Sequence, residues 1–514
     1  MFDPGSMNEL LTGASTTLSC SLIPEPQLLF GGKSPCEDPK TGLTGYGPYS
    51  KTDATRRPII RLGIVGPAEA IDRARTLVER MTTAIPHHEK NDAMLHPGFP
   101  GVNDQDPFQT QFVTQNVWCK TLSPAGVARI ENHPDFTVRI QLLIEDVTRE
   151  VMALSKLDTP PDVVLIAMTA GLEKRCRVGI AQYDREQQQN DDEDEEDSPA
   201  DVTEALDENT TDEEEDDDEE PVSTARSFRR GLKAACMHLL PTQLLWHRTL
   251  AGTKGVQDLA TRAWNLSVAL LYKARVIPWR LADAIDGSCF VGISFFHPDH
   301  QPNTTRTSIA QAFTHTGEGF VLQGDKFTWQ PTREERSPHL DKDGAAALMK
   351  QVLDVYEEEV HALPQRVIIH KTSRYTPAEV EGFTSALRGV RDYALVTLSR
   401  RGIYCLRPGN KPALRGTTID FGEKKGLVYT VGYIPFLRCY PGFRIPQPLE
   451  ITENHGSQTF HDVATDLLRL TKLNWNTAAF SCVDPITIAF SKRVGDILKI
   501  ANTDHPARHY RQYM

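Results

Sequence analysis

Arg229 and Lys233 stand four residues apart in the stretch FRRGLK. On a helix that spacing points both side chains the same way. Two cations so placed can close on one terminal phosphate, which carries up to two charges and three strong acceptor oxygens. Bonds of this kind are about twice as strong as neutral ones. Taken singly, each charge reads as a solvated surface residue. Other chemistries find less support. Nine cysteines are scattered without a C-x-x-C pair, which argues against a zinc site or a disulfide framework. Neither G-x-G-x-x-G nor G-x-x-x-x-G-K-[ST] occurs, which counts against a nucleotide cofactor.

The 514 residues suffice for two or three domains with their own cores, and 39% hydrophobic with 24% charged content is that of a soluble globular protein. No apolar run reaches the ~20 residues of a membrane helix, and no basic-then-apolar leader opens the chain; a cytoplasmic location is the expectation. The net charge of −13 hides an asymmetry. Residues 186–220 hold 21 Asp and Glu and no Lys or Arg, so everything else sums to −13 + 21 = +8. A mildly basic body fits a protein that meets phosphate backbones; a solubilising loop on an ordinary enzyme fits the same numbers.

The elements that must position the cations read as an α/β chain. Residues 1–57 form an extended arm, not a domain. A first α/β domain covers 58–285: PIIRLGIVG is a strand, PAEAIDRARTLVERM an amphipathic helix, FTVRIQLLI (136–144) a strand, EDVTREVMALSK helical and PDVVLIAMT a strand. The acidic tract interrupts it and lacks the apolar residues to fold. SFRRGLKAACMHL is then helical, PTQLLWHRTL a strand and VQDLATRAWNLSVALLYKA a long helix. A second α/β unit covers 286–514: the strand SCFVGISFF, the hairpin IAQAFTHTGEGFVLQGDKFTW, further strands and helices, and a last helix around ITIAFSKRVGDILKIA.

The run FRRGLK, PTQLLWHRTL, NLSVALLYKARVIPWRL resembles the MID domain of Argonautes continuing into PIWI, and the closing segment with LTKLNWN and PITI is similar to that of short prokaryotic Argonautes. The resemblance covers roughly residues 22–514 apart from the acidic tract, with no room for a PAZ domain. It implies a Rossmann-like MID domain and an RNase H-like PIWI domain. It also implies a pocket for the 5′-phosphate of a guide strand, made by Arg229, Lys233, Gln243 and Lys273, with Asn265 assisting. Lys472, Asn474 and Asn476 become candidate contacts to guide or target backbone, although both asparagines serve equally well as caps after Leu473, and Trp475 reads as core. The terminal carboxylate of Met514 would complete a Mg2+ site with the guide phosphate.

Slicing PIWI domains hold two metal ions with three Asp, or two Asp and a His, plus a Glu. Ser294, on FVGISFF, takes the place of the first Asp, and Lys371, ending VIIHK, stands near the second. Lys492–Val494 offers no acid for the last position, and Glu318 alone coordinates nothing useful. Lys371 reads as a contact to phosphate or as an exposed lysine. Asp283, Asp286 and Asp420 do not lie at the ends of RNase H-type strands. A chain that grips and does not cut is the expectation. Short Argonautes of this kind resemble one half of an immune pair. The partner carries an APAZ region fused to an effector, commonly a NAD-consuming TIR or sirtuin-type domain and sometimes a nuclease, with guide RNA and single-stranded target DNA as the usual strands. A guided endonuclease with a non-standard metal site, and a small-molecule-binding α/β protein, are the competing readings.

Overall fold

The structure is a computed structural model. It describes residues 18–514 except 54–55, 106, 178–226, 254, 284, 298–304, 314–318, 328–336, 401–402, 443, 502 and 504, with backbone alone for 305–313. The acidic tract and Glu318 therefore lie outside the described residues.

The stretch expected as an arm is woven into both halves. It contributes β1 (Ser19–Leu22), β2 (Leu28–Leu29), β3 (Pro35–Cys36) and α1 (Pro39–Tyr46). Cys20 of β1 pairs antiparallel with Ile419, and Leu28 of β2 pairs with Leu281.

The first α/β unit follows as β4 (Ile59–Gly66), α2 (Ala68–Arg80), β5 (Gln111–Thr121), α3 (Pro124–Asn132), α4 (Phe136–Ser155), β6 (Val163–Ala167), α5 (Ala170–Cys176), α6 (Phe228–Cys236), β7 (Thr242–Leu245), α7 (His247–Ala251) and α8 (Leu259–Lys273). Its four strands are all parallel, in the order β5-β4-β6-β7. The near-continuous apolar runs of β4 and β6 suit strands covered on both faces. In α2 the buried Ile71, Ala74, Leu77 and Val78 recur at helical spacing.

Three expectations fail here: first, only Thr242–Leu245 of PTQLLWHRTL is strand, and its HRTL end opens the short helix α7. FTVRIQLLI is not a strand; it opens the 20-residue helix α4. Asp135 caps that helix by accepting from the Val138 amide at 2.9 Å. Ile140, Leu143, Val147, Val151 and Leu154 then carry the buried stripe past the β-branched start. The missing strand is β5, whose QFVTQNVWCKT is polar and partly exposed because it lies at the sheet edge.

β8 (Arg280–Leu281), in a small sheet with β3 and β2, precedes the second unit, which begins with β9 (Ser288–Phe296), β10 (Thr305–Phe313) and β11 (Gly319–Phe327). It continues with α9 (Lys342–Val360), β12 (Arg366–Lys371), α10 (Pro377–Ala386), β13 (Asp392–Arg400), and the small ribbon of β14 (Leu406–Arg407) and β15 (Lys411–Pro412). The chain ends through β16 (Thr417–Gly422), β17 (Lys425–Val428), β18 (Leu449–Gly456), α11 (Phe460–Leu470) and α12 (Ile486–Ala501). A short 3-10 turn, Tyr510–Gln512, follows. The nine strands run β1-β16-β17-β18-β13-β12-β9-β10-β11. β9, β12 and β13 are parallel neighbours, and β9, β10 and β11 form an antiparallel meander. Numbering β9–β13 from one to five gives the order 3-2-1-4-5 of an RNase H-type sheet.

Strand alternation sorts the side chains of this sheet. Phe290, Phe296 and Ile368 join the large core, on the side where α12 packs: a Cβ on Gly292 would lie 1.9 Å from the Thr487 carbonyl oxygen. Cys289, Val291, Ile293, Val367 and Ile369 face the opposite core with Leu348 and Val352 of α9 and Phe383 of α10. All nine cysteines are free thiols. Among the described residues no helix is long and apolar enough to cross a membrane.

Candidate nucleic-acid interface

α6 starts at Ser227, whose hydroxyl accepts from the Arg230 amide at 3.5 Å. Phe228, Leu232 and Cys236 are one turn apart and bury one face of it. Arg229 and Lys233, one turn apart themselves, fall on the neighbouring flank. Lys233 is only 3% exposed, and its ammonium donates to the Thr242 carbonyl at 2.5 Å. Lys273, the last residue of α8, is equally buried and donates to Gln243 Oε1. Gln243 sits on β7 between the two lysines, and its Nε2 donates to the Leu244 carbonyl at 3.2 Å. The two lysines and the glutamine named from sequence are thus joined, with Arg229 acting on both ammonium groups.

Positive charge is concentrated and buried here. Burial, then the Arg229 charge, pushes Lys233 down to about 7. Burial, then Lys233 and Arg229, holds Lys273 well below its ordinary value. No carboxylate among the described residues pairs with either ammonium. Buried charges normally are paired, and among the described residues these two ammonium groups donate to uncharged oxygens.

Two residues that the sequence did not single out complete the cluster. Tyr510 shares hydrogen bonds with Asn476 and Arg493, and burial pushes its phenol up to about 12; the Arg229 charge also reaches it. Its ring stacks on Phe490 of α12 at 4.1 Å. Arg493 Nη1 is buried with no hydrogen-bond partner among the described residues. Neither residue belongs to a local motif; chain folding brings the C-terminal segment to α6 and α8.

The other candidates are placed differently. Asn265 uses both ends of its amide. Its Oδ1 accepts from Thr477 Oγ1 at 2.9 Å and from the Ala478 amide at 3.0 Å, and its Nδ2 donates to Gln257 at 3.1 Å. It clips the 474–478 loop to α8. Asn474 Oδ1 accepts from the Asn476 amide at 3.0 Å, a local turn after α11. Trp475 is buried against Tyr272, with ring centroids 4.7 Å apart. Lys472 is buried, 3.1 Å from Glu25, with its ammonium 3.4 Å from the Phe480 ring centre. Glu25 also accepts from Arg415 at 2.9 Å, so this charge network fastens the N-terminal strap to the second unit. The side chain of Met514 is buried in the main core with Tyr510 and Tyr513, which fixes the chain end.

At the ends of the parallel strands, Ser294 and Lys371 do not converge. Lys371 lies opposite Ile293, so it shares that residue's face, and Ser294 points to the other. Ser294 donates to the Ser491 carbonyl of α12 at 3.0 Å. Lys371, read from sequence as a phosphate contact or as an exposed lysine, is not exposed. It is 1% exposed and 2.5 Å from Glu379. Its ammonium also lies 5.4 Å from the Phe295 ring centre and 5.0 Å from that of Tyr375. Glu379 in turn accepts from the Leu340 amide at 3.1 Å and the Thr376 amide at 3.0 Å, and meets His339 at 3.2 Å. Burial holds Lys371 below its ordinary value against the pull of Glu379. The residue that follows β12 on the face of Ser294 is the exposed Thr372. Asp286 precedes β9 at the opposite end of the strand, and Asp420 on β16 is five strands from β9. Among the described residues no group of three His, Cys, Asp or Glu could hold a metal ion.

No family model matches the sequence, and no curated protein matches it. Solved structures do match its fold. The Argonaute of Clostridium butyricum, bound to a guide DNA and a 19-mer target DNA, is 12% identical with a TM-score of 0.55, over 94% of this chain and 53% of that one. The Argonaute of A. aeolicus is 13% identical with a TM-score of 0.52, over 95% and 54%. Drosophila Piwi is 11% identical with a TM-score of 0.54, over 96% and 56%. The chain spans about half the length of these structures. The parallel first sheet and the 3-2-1-4-5 second sheet agree with that likeness: this chain has the fold seen in these Argonaute and Piwi structures.

Proposed function

We propose that this chain binds a guide strand through its 5′-phosphate, in the cluster of Arg229, Lys233, Gln243 and Lys273, and presents it to a complementary target. The carrying observation is that two lysines, each 3% exposed, meet Arg229, and that no carboxylate among the described residues pairs with either ammonium. An incoming phosphate supplies the missing negative charge. Lys233, Lys273 and Arg229 would bond its oxygens, Gln243 would orient Lys273, the Thr242 carbonyl would orient Lys233, and Asn265 would hold the 474–478 loop in place. Sequence selection then comes from base pairing, the protein reading backbone and duplex shape.

We further propose that the chain does not itself cut. The hydroxyl of Ser294 is engaged by α12, and Lys371 is buried on the other face of the sheet with Glu379. In that reading the chemistry belongs to a partner. The resemblance to short prokaryotic Argonautes supplies its form: an APAZ-effector protein, NAD-consuming or nuclease, acting in cytoplasmic defence with an RNA guide and a DNA target. Mg2+ would enter only together with the guide phosphate, and the terminal carboxylate of Met514 is the group of this chain that would hold it. The pocket's own side chains suit an anion, and its amide and carbonyl oxygens already accept from the lysines.

The test is retention of short RNA by the purified chain. A marked preference for 5′-phosphorylated over 5′-hydroxyl RNA, lost in Lys273→Met, supports the reading; equal binding of both overturns it. Magnesium-dependent cleavage of a paired target by the chain alone would establish the endonuclease instead.

A further inference from the structure

Two ammonium groups and a guanidinium crowd the space between α6, β7 and α8. Lys233 faces Arg229 and Cys236 of its own helix, the Thr242 carbonyl of β7, and Lys273 at the end of α8. From the C-terminal side come Tyr510 with Asn476, and Arg493 of α12. The acid that α12 brings towards α6, Asp496, lies 3.7 Å from Arg230 and 2.8 Å from Lys499, so its charge is spoken for. Like charges enclosed away from water repel strongly, and desolvation adds to the cost of each. An empty pocket of this build relieves both by leaving an ammonium neutral. A phosphate monoester, dianionic above pH ~6, reverses the balance and calls for every cation.

We propose that this pocket takes up a proton together with the 5′-phosphate, so that guide loading is coupled to pH. This rests on the reading of the cluster as the 5′-phosphate pocket and adds how that pocket is regulated. The lowered positions of Lys233 and Lys273, each caused first by burial and then by the neighbouring cations, agree with it. Affinity for the phosphorylated end should therefore fall as pH rises above about 7, beyond the range in which the phosphate itself titrates.

Calorimetric titration tests this directly. A short 5′-phosphorylated RNA and its 5′-hydroxyl counterpart are titrated into the full chain at about pH 8, in buffers of different ionisation heat. The expected result is an observed enthalpy that varies with buffer for the phosphorylated RNA, corresponding to uptake of about one proton, and much less variation for the hydroxyl form. In Lys233→Met and Lys273→Met the uptake should shrink; either variant alone suffices if the other does not fold. A clear 5′-phosphate preference with the same buffer dependence for both RNAs overturns the coupling and leaves the pocket standing. No 5′-phosphate preference at any pH overturns the pocket, and the coupling with it.

Discussion

Replacing Lys233 by methionine is expected to stabilise the guide-free protein and weaken its hold on a guide. The two side chains are similar in length, and Met carries no charge into a site that is 3% exposed. Holding Lys233 at about 7 instead of 10.5 amounts to about 5 kcal/mol of unfavourable charge when the group is protonated. Met escapes that cost but forfeits the bond to the Thr242 carbonyl, and replacements of buried ionic groups by apolar ones typically gain about 1–4 kcal/mol. The sign with pH follows from proton counting. Between about 7 and 10.5 the unfolded chain holds a proton on Lys233 that the folded chain has released. The penalty is thus full below about 7, fades as pH rises, and vanishes above 10.5. The native protein should gain stability over that window, and Lys233→Met should lack that contribution. Thermal melting of both proteins at about pH 7 and about pH 10 reads this: the variant melts higher at the lower pH, and the gap narrows at the higher. Filter binding reads the other half, a loss of about 1–3 kcal/mol for 5′-phosphorylated RNA, or roughly 5- to 150-fold. A variant that melts lower at both pH values and binds phosphorylated RNA undiminished would refute the reasoning.

Lys371→Met should destabilise the second unit by about 3–5 kcal/mol, because Glu379 would stay buried without its cation. The double variant with Glu379→Gln should recover part of that loss in chemical denaturation; a single variant as stable as the native chain would contradict the buried pair. Asn265→Ala leaves Thr477 and the Ala478 amide without their acceptor, so a loss of about 1–3 kcal/mol in stability is expected, with faster proteolysis at the 474–478 loop. Arg493→Gln should lower affinity for the phosphorylated RNA more than for the hydroxyl form, in the same filter assay; equal loss for both would make Arg493 a packing residue.

Much of the fold was legible because the buried strands and amphipathic helices announce themselves by period: PIIRLGIVG, PDVVLIAMT and the stripe of α2 behave as read. The failures have physical causes. FTVRIQLLI is rich in β-branched and apolar residues and looks like a strand over nine positions; only the Asp135 cap and the longer 3-4 spacing show the helix. β5 is an edge strand and carries a polar sequence. In the site, the i,i+4 pair of Arg229 and Lys233 is a local feature and could be read directly. Arg493 and Tyr510 could not, because they reach the cluster through tertiary packing 264 and 281 residues from Arg229. The position of Lys371 was read from its place at a strand end. Its face was not, and a shift of one residue along a strand reverses the side. Lys472 looked like a backbone contact until the N-terminal strap brought Glu25 beside it.

The most direct measurement is the ratio of affinities for the same short RNA with and without a 5′-phosphate, at about pH 7 and moderate salt. A ratio well above one for the native chain, collapsing towards one when Lys233 and Lys273 are both replaced by methionine in a protein that still folds, is the expected result. A ratio near one in the native chain would contradict the assignment of this buried basic cluster as a guide-phosphate pocket.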